Sequence, residues 1–358
     1  MKRFVLKGII ILFFCIPLFS KATIPPGYYD NAAGLSGAPL KTALHNIINN
    51  HTVIQYADLW NCYYTTDDKS NGKVWDIYSD IPGGTPPYEF TFSTDQCGTY
   101  SQEADCYNRE HTFPSSWFND ATPMYSDLFH VYPTDGWVNN KRSNYPYGDV
   151  SSASWTSQNG SKLGSCSDAG YSGTVFEPVD SFKGDIARTY FYMAVRYYTE
   201  DSGWPGSDMV NGAQLLPWAE TMLLQWNTLD PVSLKEQERN DAVYAYQNNR
   251  NPFIDHPEWI YSIWGPTAGI QNISSTLNSL NIFPVPSKGE ITINTGGALH
   301  NVSLTLYSAE GKYIFEKQID ELINNYSLYV SDAANGFYFV KIICDEGVEV
   351  KKVIVEKP

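Results

Sequence analysis

Residues 108–144 constrain the fold more strongly than any other part of the chain. A strand-like run leads into Glu110 and His111, and a second strand-like run covers Asp127–His130. A helix is predicted to begin beyond Pro133, where Thr134 or Asp135 can serve as the N-cap. Two strands followed directly by a helix predict a compact ββα unit, and hence an α+β domain rather than an all-helical or all-β one.

The polar residues of this stretch point to a particular chemistry. His111 can take a proton from water at neutral pH, because an unperturbed histidine titrates near there. The carboxylate of Glu110 and the amide oxygen of Asn139 are hard ligands that suit Mg²⁺. Lys141 and Arg142 supply positive charge for a phosphate. Together these groups indicate metal-assisted cleavage of phosphodiester bonds.

From about residue 40 to residue 265 the chain resembles the bacterial extracellular endonuclease I family of ββα-metal (His-Me finger) nucleases. The resemblance implies that His111 is the general base and that Glu110 is an acidic metal ligand. It also implies that Asn139, nine residues after His130, is the ligand from the helix. His130 itself is expected to brace the loop or to orient a catalytic group. One catalytic ion, Mg²⁺ or Mn²⁺, is expected.

Two arginines are candidate contacts to the substrate phosphate. Arg142 is placed to reach a non-bridging oxygen, and Arg188 opens a helical segment that also resembles the family. A structural ion pair explains Arg188 equally well, and Arg109 is a weaker third candidate. The resemblance implies cleavage of DNA, with RNA as an alternative substrate, and products with 5′-phosphate ends. Low sequence specificity is expected because phosphate contacts carry no base information.

The N-terminus predicts a secretory signal over residues 1–22. Lys2, Arg3 and Lys7 precede an apolar run from Gly8 to Phe19 that is too short to span a bilayer. Cleavage is expected after Ala22. A secreted or cell-surface protein follows from this prediction.

The overall charge weighs against nucleic-acid binding, which usually draws on a basic surface. The formal charge of −15 becomes about −19 after loss of the signal segment, which removes four basic residues and no acids. A bound divalent cation would offset part of this charge. Basic residues also concentrate near the motif, at Arg109, Lys141, Arg142, Lys162, Lys183 and Arg188.

Four cysteines of the main domain predict disulfide bonds, because their number is even and the compartment is oxidising. Cys97 and Cys106 enclose a short polar loop and form the favoured pair. A bond between Cys62 and Cys166 follows by elimination.

Hydrophobic periodicity predicts helices over residues 40–64, 184–198, 214–228 and 233–248. Short strands broken by glycine and proline are predicted between residues 73 and 107. The main domain is assigned to residues 23–270 and a polar linker to 271–280.

Residues 281–358 alternate between apolar and polar positions and predict a small β-sandwich. The segments around Pro284-Val285-Pro286, Leu306–Gly311 and Asn335–Lys341 resemble the C-terminal sorting domain of type IX secretion substrates. The resemblance implies a partnership with that secretion machinery. A sandwich that binds carbohydrate or protein is the alternative.

The sequence therefore favours a secreted, monomeric, metal-dependent endonuclease. One alternative from another class is a surface binding protein built on an inactive nuclease scaffold. A second alternative is a ribonuclease. The sequence does not choose the metal ion, the preferred nucleic acid, the disulfide pairing, whether the C-terminal domain is cleaved or anchored, or the biological role.

Overall fold

The computed structural model describes residues 24–265, 280–308, 313–330, 333–344 and 347–357. The chain divides into two compact units, one ending at Gly265 and the other beginning at Pro266. The predicted signal segment 1–22 lies outside the described residues, as does the predicted linker 271–280 except for Leu280. Within the described ranges no helix is both long and apolar enough to cross a membrane.

The first unit combines helices with three small antiparallel sheets. Its helices are α1 Gly37–Ile48, α2 Leu59–Thr66, α3 Gly136–Arg142, α4 Lys183–Arg196, α5 Pro217–Leu229, α6 Leu234–Gln247, α7 Pro252–Asp255 and α8 Glu258–Trp264. Its strands are β1 Tyr107–His111, β2 Val131–Asp135, β3 Val150–Thr156, β4 Lys162–Cys166, β5 Thr174–Glu177, β6 Val210–Asn211 and β7 Gln214–Leu215. The sheets pair β1 with β2, β3 with β4 and β5, and β6 with β7.

The helices predicted from periodicity are present. The helical run near the N-terminus divides into α1 and α2, and α4, α5 and α6 lie close to their predicted bounds. Local chemistry explains where two of these helices begin. Pro217 begins α5, where a missing N–H is harmless. Ser233 and Glu236 form a reciprocal capping box at the start of α6.

The strands predicted between residues 73 and 107 are wrong. The described chain there consists of turns and isolated bridges, such as Lys73 with Thr91. Asp76 supplies the physical reason, because its carboxylate accepts a hydrogen bond from the backbone N–H of Tyr78 at 2.7 Å and closes a turn. Side-chain competition of this kind replaces a strand ladder.

The ββα unit is formed by β1, β2 and α3. The two strands pair antiparallel, with His111 opposite Val131 and Tyr107 opposite Asp135. The second strand begins at Val131, after the run predicted for it, because Asp127 accepts a hydrogen bond from the N–H of Phe129 at 2.9 Å and holds a turn there. Asp135 is the N-cap of α3, and its Oδ1 accepts from the N–H of Val138 at 2.8 Å.

Helix α4 forms the centre of the first unit. Each of its residues is buried. A helix that is buried on all sides must satisfy its polar side chains within the protein. Tyr190, for example, donates its hydroxyl to the carbonyl of Thr112 at 2.8 Å. This contact supports the chain immediately after β1, where the polar motif lies.

The second unit is an antiparallel sheet. Its strands are β8 Asn281–Phe283, β9 Glu290–Ser308, β10 Tyr313–Tyr329, β11 Gly336–Cys344 and β12 Gly347–Val355. The order is β10-β9-β11-β12, with β8 also paired to β9. The mixed first unit and this antiparallel region confirm the α+β prediction.

The strands predicted for the second unit are shorter than those in the structure. The alternation of apolar and polar residues predicts separate short strands at 290–293 and 302–306, whereas the structure joins both in the single strand β9. The intervening polar residues still pair with β10, for instance His300 opposite Glu321, and a register shift falls between Ile323 and Asn325. Polar composition therefore hides a long strand whose pairing is interrupted by an irregularity, because strand pairing uses backbone groups rather than apolar side chains.

A buried network around Asp127 fixes the segment before β2. Its Oδ2 accepts hydrogen bonds from the hydroxyls of Tyr192 at 2.8 Å and Tyr197 at 2.7 Å. Its Oδ1 accepts from the amide of Gln247 at 2.9 Å. Burial raises the pKa of Asp127, but interaction with histidine side chains and these hydrogen bonds outweigh it, and the pKa falls to about 2.

We predict that Asp127 stabilises the fold in its ionised form. Because its pKa is lower in the folded state than in the unfolded state, this stabilisation is complete above about pH 4 and is lost as the pH falls towards 2. The substitution Asp127→Asn should lower the free energy of unfolding at pH 7 by about 2–3 kcal/mol. Urea unfolding between pH 2.5 and 7 measures both effects. The exposed Asp120→Asn is the control, and equal pH dependence in wild type and Asp127→Asn would refute the prediction.

Candidate functional site

A polar cleft of about 250 Å³ lies at the end of β1. Its lining residues are Tyr100, Arg109, Glu110, His111, Pro114, Ser115, Asn139, Asn140, Ser143 and Asn144. The structure thus brings together Glu110 and His111 from β1 with Asn139 from α3. These are the three residues that the sequence indicates for base and metal ligands.

His111 is held in one tautomer by the main chain. Its Nε2 lies 2.9 Å from the carbonyl oxygen of Tyr125. Because a carbonyl oxygen can only accept, Nε2 carries the hydrogen and Nδ1 of the neutral ring is left as a base. Burial, together with the neighbouring His130, lowers the pKa of His111 to about 3, although the bond to Tyr125 acts in the opposite direction. The ring is therefore neutral at physiological pH.

Aromatic rings fix the plane of the His111 imidazole. The ring of Tyr56 stacks on it with centroids 5.6 Å apart and an interplanar angle of 18°. The ring of Tyr125 lies 4.9 Å away on centroids. A side chain packed in this way has lost its rotamer freedom before any substrate arrives.

Glu110 presents one carboxylate oxygen to the protein and leaves the other available. Its Oε1 accepts from the hydroxyl of Tyr78 at 2.8 Å and from the guanidinium of Arg142 at 2.9 Å. Among the described residues no protein donor bonds to Oε2. Burial raises the pKa of Glu110 to about 7, while Arg142 and Tyr78 oppose that rise. A cation at Oε2 would favour the ionised carboxylate.

The side-chain amide of Asn139 is oriented by a neighbour on β1. Its Nδ2 donates to Oδ1 of Asn108 at 2.8 Å, which leaves Oδ1 of Asn139 free to act as a ligand. Gly136 permits this approach of helix and strand. A Cβ atom there would lie 2.6 Å from the ring of Tyr100 and 3.3 Å from Nδ2 of Asn108.

The donor set fits a hard divalent cation with few protein ligands. Glu110 and Asn139 each offer one oxygen to the same cleft. The part of the chain that the structure describes contains no group of three or more His, Cys, Asp or Glu residues that could hold a metal ion. Mg²⁺ commonly binds through one or two carboxylates and keeps several positions for water and substrate phosphate. The residues present therefore suit Mg²⁺ or the similar Mn²⁺.

Comparison with known proteins identifies the family of the first unit and the type of the second. Residues 36–258 match the family model described as Endonuclease I. The chain belongs to the Endonuclease I family. Residues 281–356 match the secretion system C-terminal sorting domain.

Three relatives of this Endonuclease I chain are extracellular nucleases by name. The extracellular ribonuclease of Bacillus amyloliquefaciens is 36% identical over 263 residues, which is 69% of this chain and 83% of the relative. The extracellular ribonuclease of Bacillus subtilis (strain 168) is 35% identical over 66% of this chain and 78% of the relative. The extracellular deoxyribonuclease of Aeromonas hydrophila is 23% identical over 68% of this chain and 96% of the relative. With the sorting domain, these relatives indicate a secreted or cell-surface protein.

Arg142 of this Endonuclease I domain does not line the cleft. It is fully buried, and its guanidinium donates to Glu110, to the carbonyl of His111 at 2.9 Å and to the carbonyl of Thr112 at 2.6 Å. It also lies over the ring of Tyr147 at 4.5 Å. These protein partners leave the predicted phosphate contact without support. Sequence position shows that Arg142 ends the helix but not which way its side chain turns.

Arg188 is likewise enclosed by the protein. It forms a two-point ion pair with Glu236 at 2.5 and 2.8 Å, and it donates to Asn227 at 3.0 Å. It lies within α4 and is not among the residues lining the cleft. The structure therefore gives Arg188 the alternative role, that of an ion-pair partner within the fold.

His130 and His111 are neighbours, with ring centroids 5.5 Å apart. His130 is fully buried, and its Nε2 lies 2.7 Å from the carbonyl oxygen of Met124. Its ring therefore contacts the short segment that also carries the carbonyl of Tyr125.

One of the two expected disulfide bonds is present. Cys97 and Cys106 are bonded, which confirms that pairing. Cys62 and Cys166 are free, so the second pairing is wrong. Elimination assumes that every cysteine pairs, whereas Cys62 is buried in α2 and behaves as a small apolar side chain.

The loop between the bonded cysteines contributes Tyr100 to the cleft lining, which the sequence did not indicate. The N–H of Ala104 donates to Oδ2 of Asp135 at 2.7 Å, and the N–H of Gly136 donates to the carbonyl of Cys106 at 2.9 Å. These bonds anchor the loop to the start of α3 and bring Tyr100 into the cleft lining. The sequence feature that could have indicated this contact is Tyr100, which lies between the two cysteines that pair.

We predict that Arg142→Ala lowers the free energy of unfolding by about 3–5 kcal/mol, because it leaves Glu110 buried without its cation. Thermal or urea unfolding measures this loss. Lys141→Ala on the same helix is the control, and its effect should stay within about 0.5 kcal/mol. Wild-type stability combined with weaker substrate binding in Arg142→Ala would instead support a phosphate contact.

Proposed function

We propose that this chain is a secreted, metal-dependent endonuclease that hydrolyses phosphodiester bonds in both DNA and RNA. One observation carries the proposal. His111 has its Nε2 bonded to a main-chain carbonyl, and the cleft that it lines also holds the oxygens of Glu110 and Asn139. A base and two hard ligands within one polar cleft suit hydrolysis of an anionic ester.

His111 would act as the general base. Its Nδ1 takes a proton from a water molecule while the water oxygen forms a bond to phosphorus. The bond between phosphorus and the 3′ oxygen breaks, and that oxygen receives a proton from solvent. The products are a 5′-phosphate and a 3′-hydroxyl. The carbonyl of Tyr125 keeps the imidazole in the productive tautomer and accepts the hydrogen bond of the charged ring.

Glu110 and Asn139 would hold one Mg²⁺ or Mn²⁺ ion. When bound, the ion supplies Lewis-acid charge to the phosphate oxygens. The protein contributes the placement of the two ligand oxygens. Arg142 and Tyr78 hold the carboxylate of Glu110, and Asn108 holds the amide of Asn139.

Cleavage of both nucleic acids follows from the character of the cleft. Its lining offers one cation, one carboxylate, one imidazole and several amides and hydroxyls, which suit contacts to the phosphodiester backbone. Selection of RNA requires contacts to the 2′-hydroxyl. Relatives named ribonuclease and relatives named deoxyribonuclease both align with this chain, which supports a scaffold compatible with either substrate.

The second unit would serve export. Its match to a secretion sorting domain supports delivery by the type IX machinery, and the enzyme is proposed to act as a monomer outside the cell. Its partners are then the secretion apparatus and the nucleic-acid substrate.

Plasmid cleavage tests the proposed activity. Wild-type protein with Mg²⁺ or Mn²⁺ should nick and linearise supercoiled DNA, and EDTA should stop the reaction. His111→Ala should lower the rate by about 100-fold or more, because general-base catalysis contributes at least that much. His256→Ala, a histidine stacked on Trp259 away from the cleft lining, is the matched control and should cut at the wild-type rate.

A folded wild-type protein that binds nucleic acid but cuts neither DNA nor RNA with either metal would contradict the proposal. That result would favour a binding protein on an inactive scaffold. Equal rates for His111→Ala and wild type would show that another group takes the proton.

Competition between substrates tests the dual specificity. Matched single-stranded DNA and RNA oligonucleotides, mixed in equal amounts, should be cut with kcat/KM values within about tenfold of each other, which corresponds to about 1.4 kcal/mol. Separation of the labelled products measures the ratio. A preference for RNA of a thousandfold or more would show readout of the 2′-hydroxyl and identify a ribonuclease.

A further inference from the structure

Binding of an anionic substrate in the cleft requires a basic side chain whose hydrogen-bond donors are accessible to a phosphate. Arg142 and Arg188 are buried and bonded to protein groups, so neither presents its guanidinium there. Lys141 lies over the ring of Trp137 at 4.7 Å and is not part of the lining. Among the residues that line the cleft, Arg109 carries the positive charge.

Arg109 is held between two aromatic rings. Its guanidinium carbon lies 3.7 Å from the ring centroid of Tyr56 and 4.6 Å from that of Trp60. One N–H donates to the carbonyl of Tyr56 at 2.6 Å. Within the described residues no carboxylate lies at ion-pair distance from this guanidinium. A guanidinium has five N–H donors, so most of its hydrogen-bonding capacity remains for a ligand.

The same aromatic ring connects Arg109 to the catalytic base. Tyr56 contacts the guanidinium and also stacks on His111, with ring centroids 5.6 Å apart. Arg109 precedes His111 by two residues on β1, so both side chains emerge on one side of the strand at a spacing of about 7 Å. The positive charge is therefore fixed beside the base along the direction of β1.

We propose that Arg109 binds a phosphate of the substrate backbone next to the one that is cleaved. The inference rests on the proposed function in taking nucleic acid as the ligand. Guanidinium matches two phosphate oxygens with two parallel hydrogen bonds. Stacking on Tyr56 and Trp60 orders the side chain before binding, so the substrate meets a group that has already lost its rotamer freedom.

Binding measured without cleavage gives the sharpest test. A fluorescein-labelled single-stranded DNA oligonucleotide is titrated with full-chain protein in EDTA at several salt concentrations, with anisotropy as the readout. Removing one phosphate contact should weaken binding by about tenfold or more at low salt. It should also reduce the slope of log K against log salt by about 0.7, the value for one contact to a single strand.

The variants separate charge from packing. Arg109→Met keeps an apolar stem against Tyr56 and Trp60 but loses the charge, and it should show both effects. Arg109→Lys keeps the charge and should restore the wild-type slope. Lys41→Met is the matched control, because Lys41 also lies over aromatic rings, 5.0 Å from Tyr198 and 5.5 Å from Trp264, but outside the cleft lining.

Kinetics and unfolding complete the test. Arg109→Met should raise KM in Mg²⁺ with little change in kcat, as expected for a contact made equally in the ground and transition states. Thermal unfolding shows whether each variant is folded, and Arg109→Gln replaces the Met variant if that one unfolds.

Two results would overturn the inference. One is a salt slope in Arg109→Met equal to that of wild type, which would reduce Arg109 to a support for Tyr56. The other is wild-type protein that shows no salt-dependent binding. Binding with the expected slopes but no cleavage in Mg²⁺ or Mn²⁺ would contradict the proposed hydrolysis while supporting the phosphate contact.

Discussion

The buried ion pair between Arg142 and Glu110 joins α3 to β1, and the geometry of the site depends on it. Both groups are buried, and either charge alone would be strongly destabilising there. The guanidinium also donates to the carbonyls of His111 and Thr112, so it connects the end of the helix to the end of the strand. Since Asn139 is on that helix, the same pair helps to position the two oxygens proposed as metal ligands, those of Glu110 and Asn139.

Other buried hydrogen bonds of the first unit stabilise the chain on either side of this ion pair. Helix α4 reaches the strand end through Tyr190, and the Asp127 network holds the segment that presents the carbonyl of Tyr125 to His111. These contacts are made within the protein, and the bond from Tyr192 to Asp127 is charge-assisted, so the side chains of the cleft are ordered before a ligand binds. Under the proposed function, an acidic protein could bind an anionic polymer with few cations, because Arg109 lies in the cleft lining.

The sequence predicted the ββα unit and the polar residues that it brings into the cleft. Residue type and the family resemblance indicate Glu110, His111 and Asn139 as candidate ligands and base, and the ββα connection brings the three into one cleft. Side-chain direction was not predictable. Arg142 could face solvent or core, and only packing around Glu110 decides it. Two other errors have different causes: Cys62 is a buried free thiol although elimination had paired it, and the local hydrogen bond from Tyr78 to Asp76 forms a turn where a strand was predicted.

His111 and Asn139 are oriented in different ways, the first by a main-chain atom and the second by a side-chain atom. The tautomer of His111 is set by a main-chain carbonyl, which every residue type at position 125 would supply. The amide of Asn139 is set by the side chain of Asn108, which a single codon change can remove. In the proposed mechanism, a single substitution at position 108 would therefore release the metal ligand, whereas no substitution at position 125 would remove the carbonyl that sets the tautomer of the base.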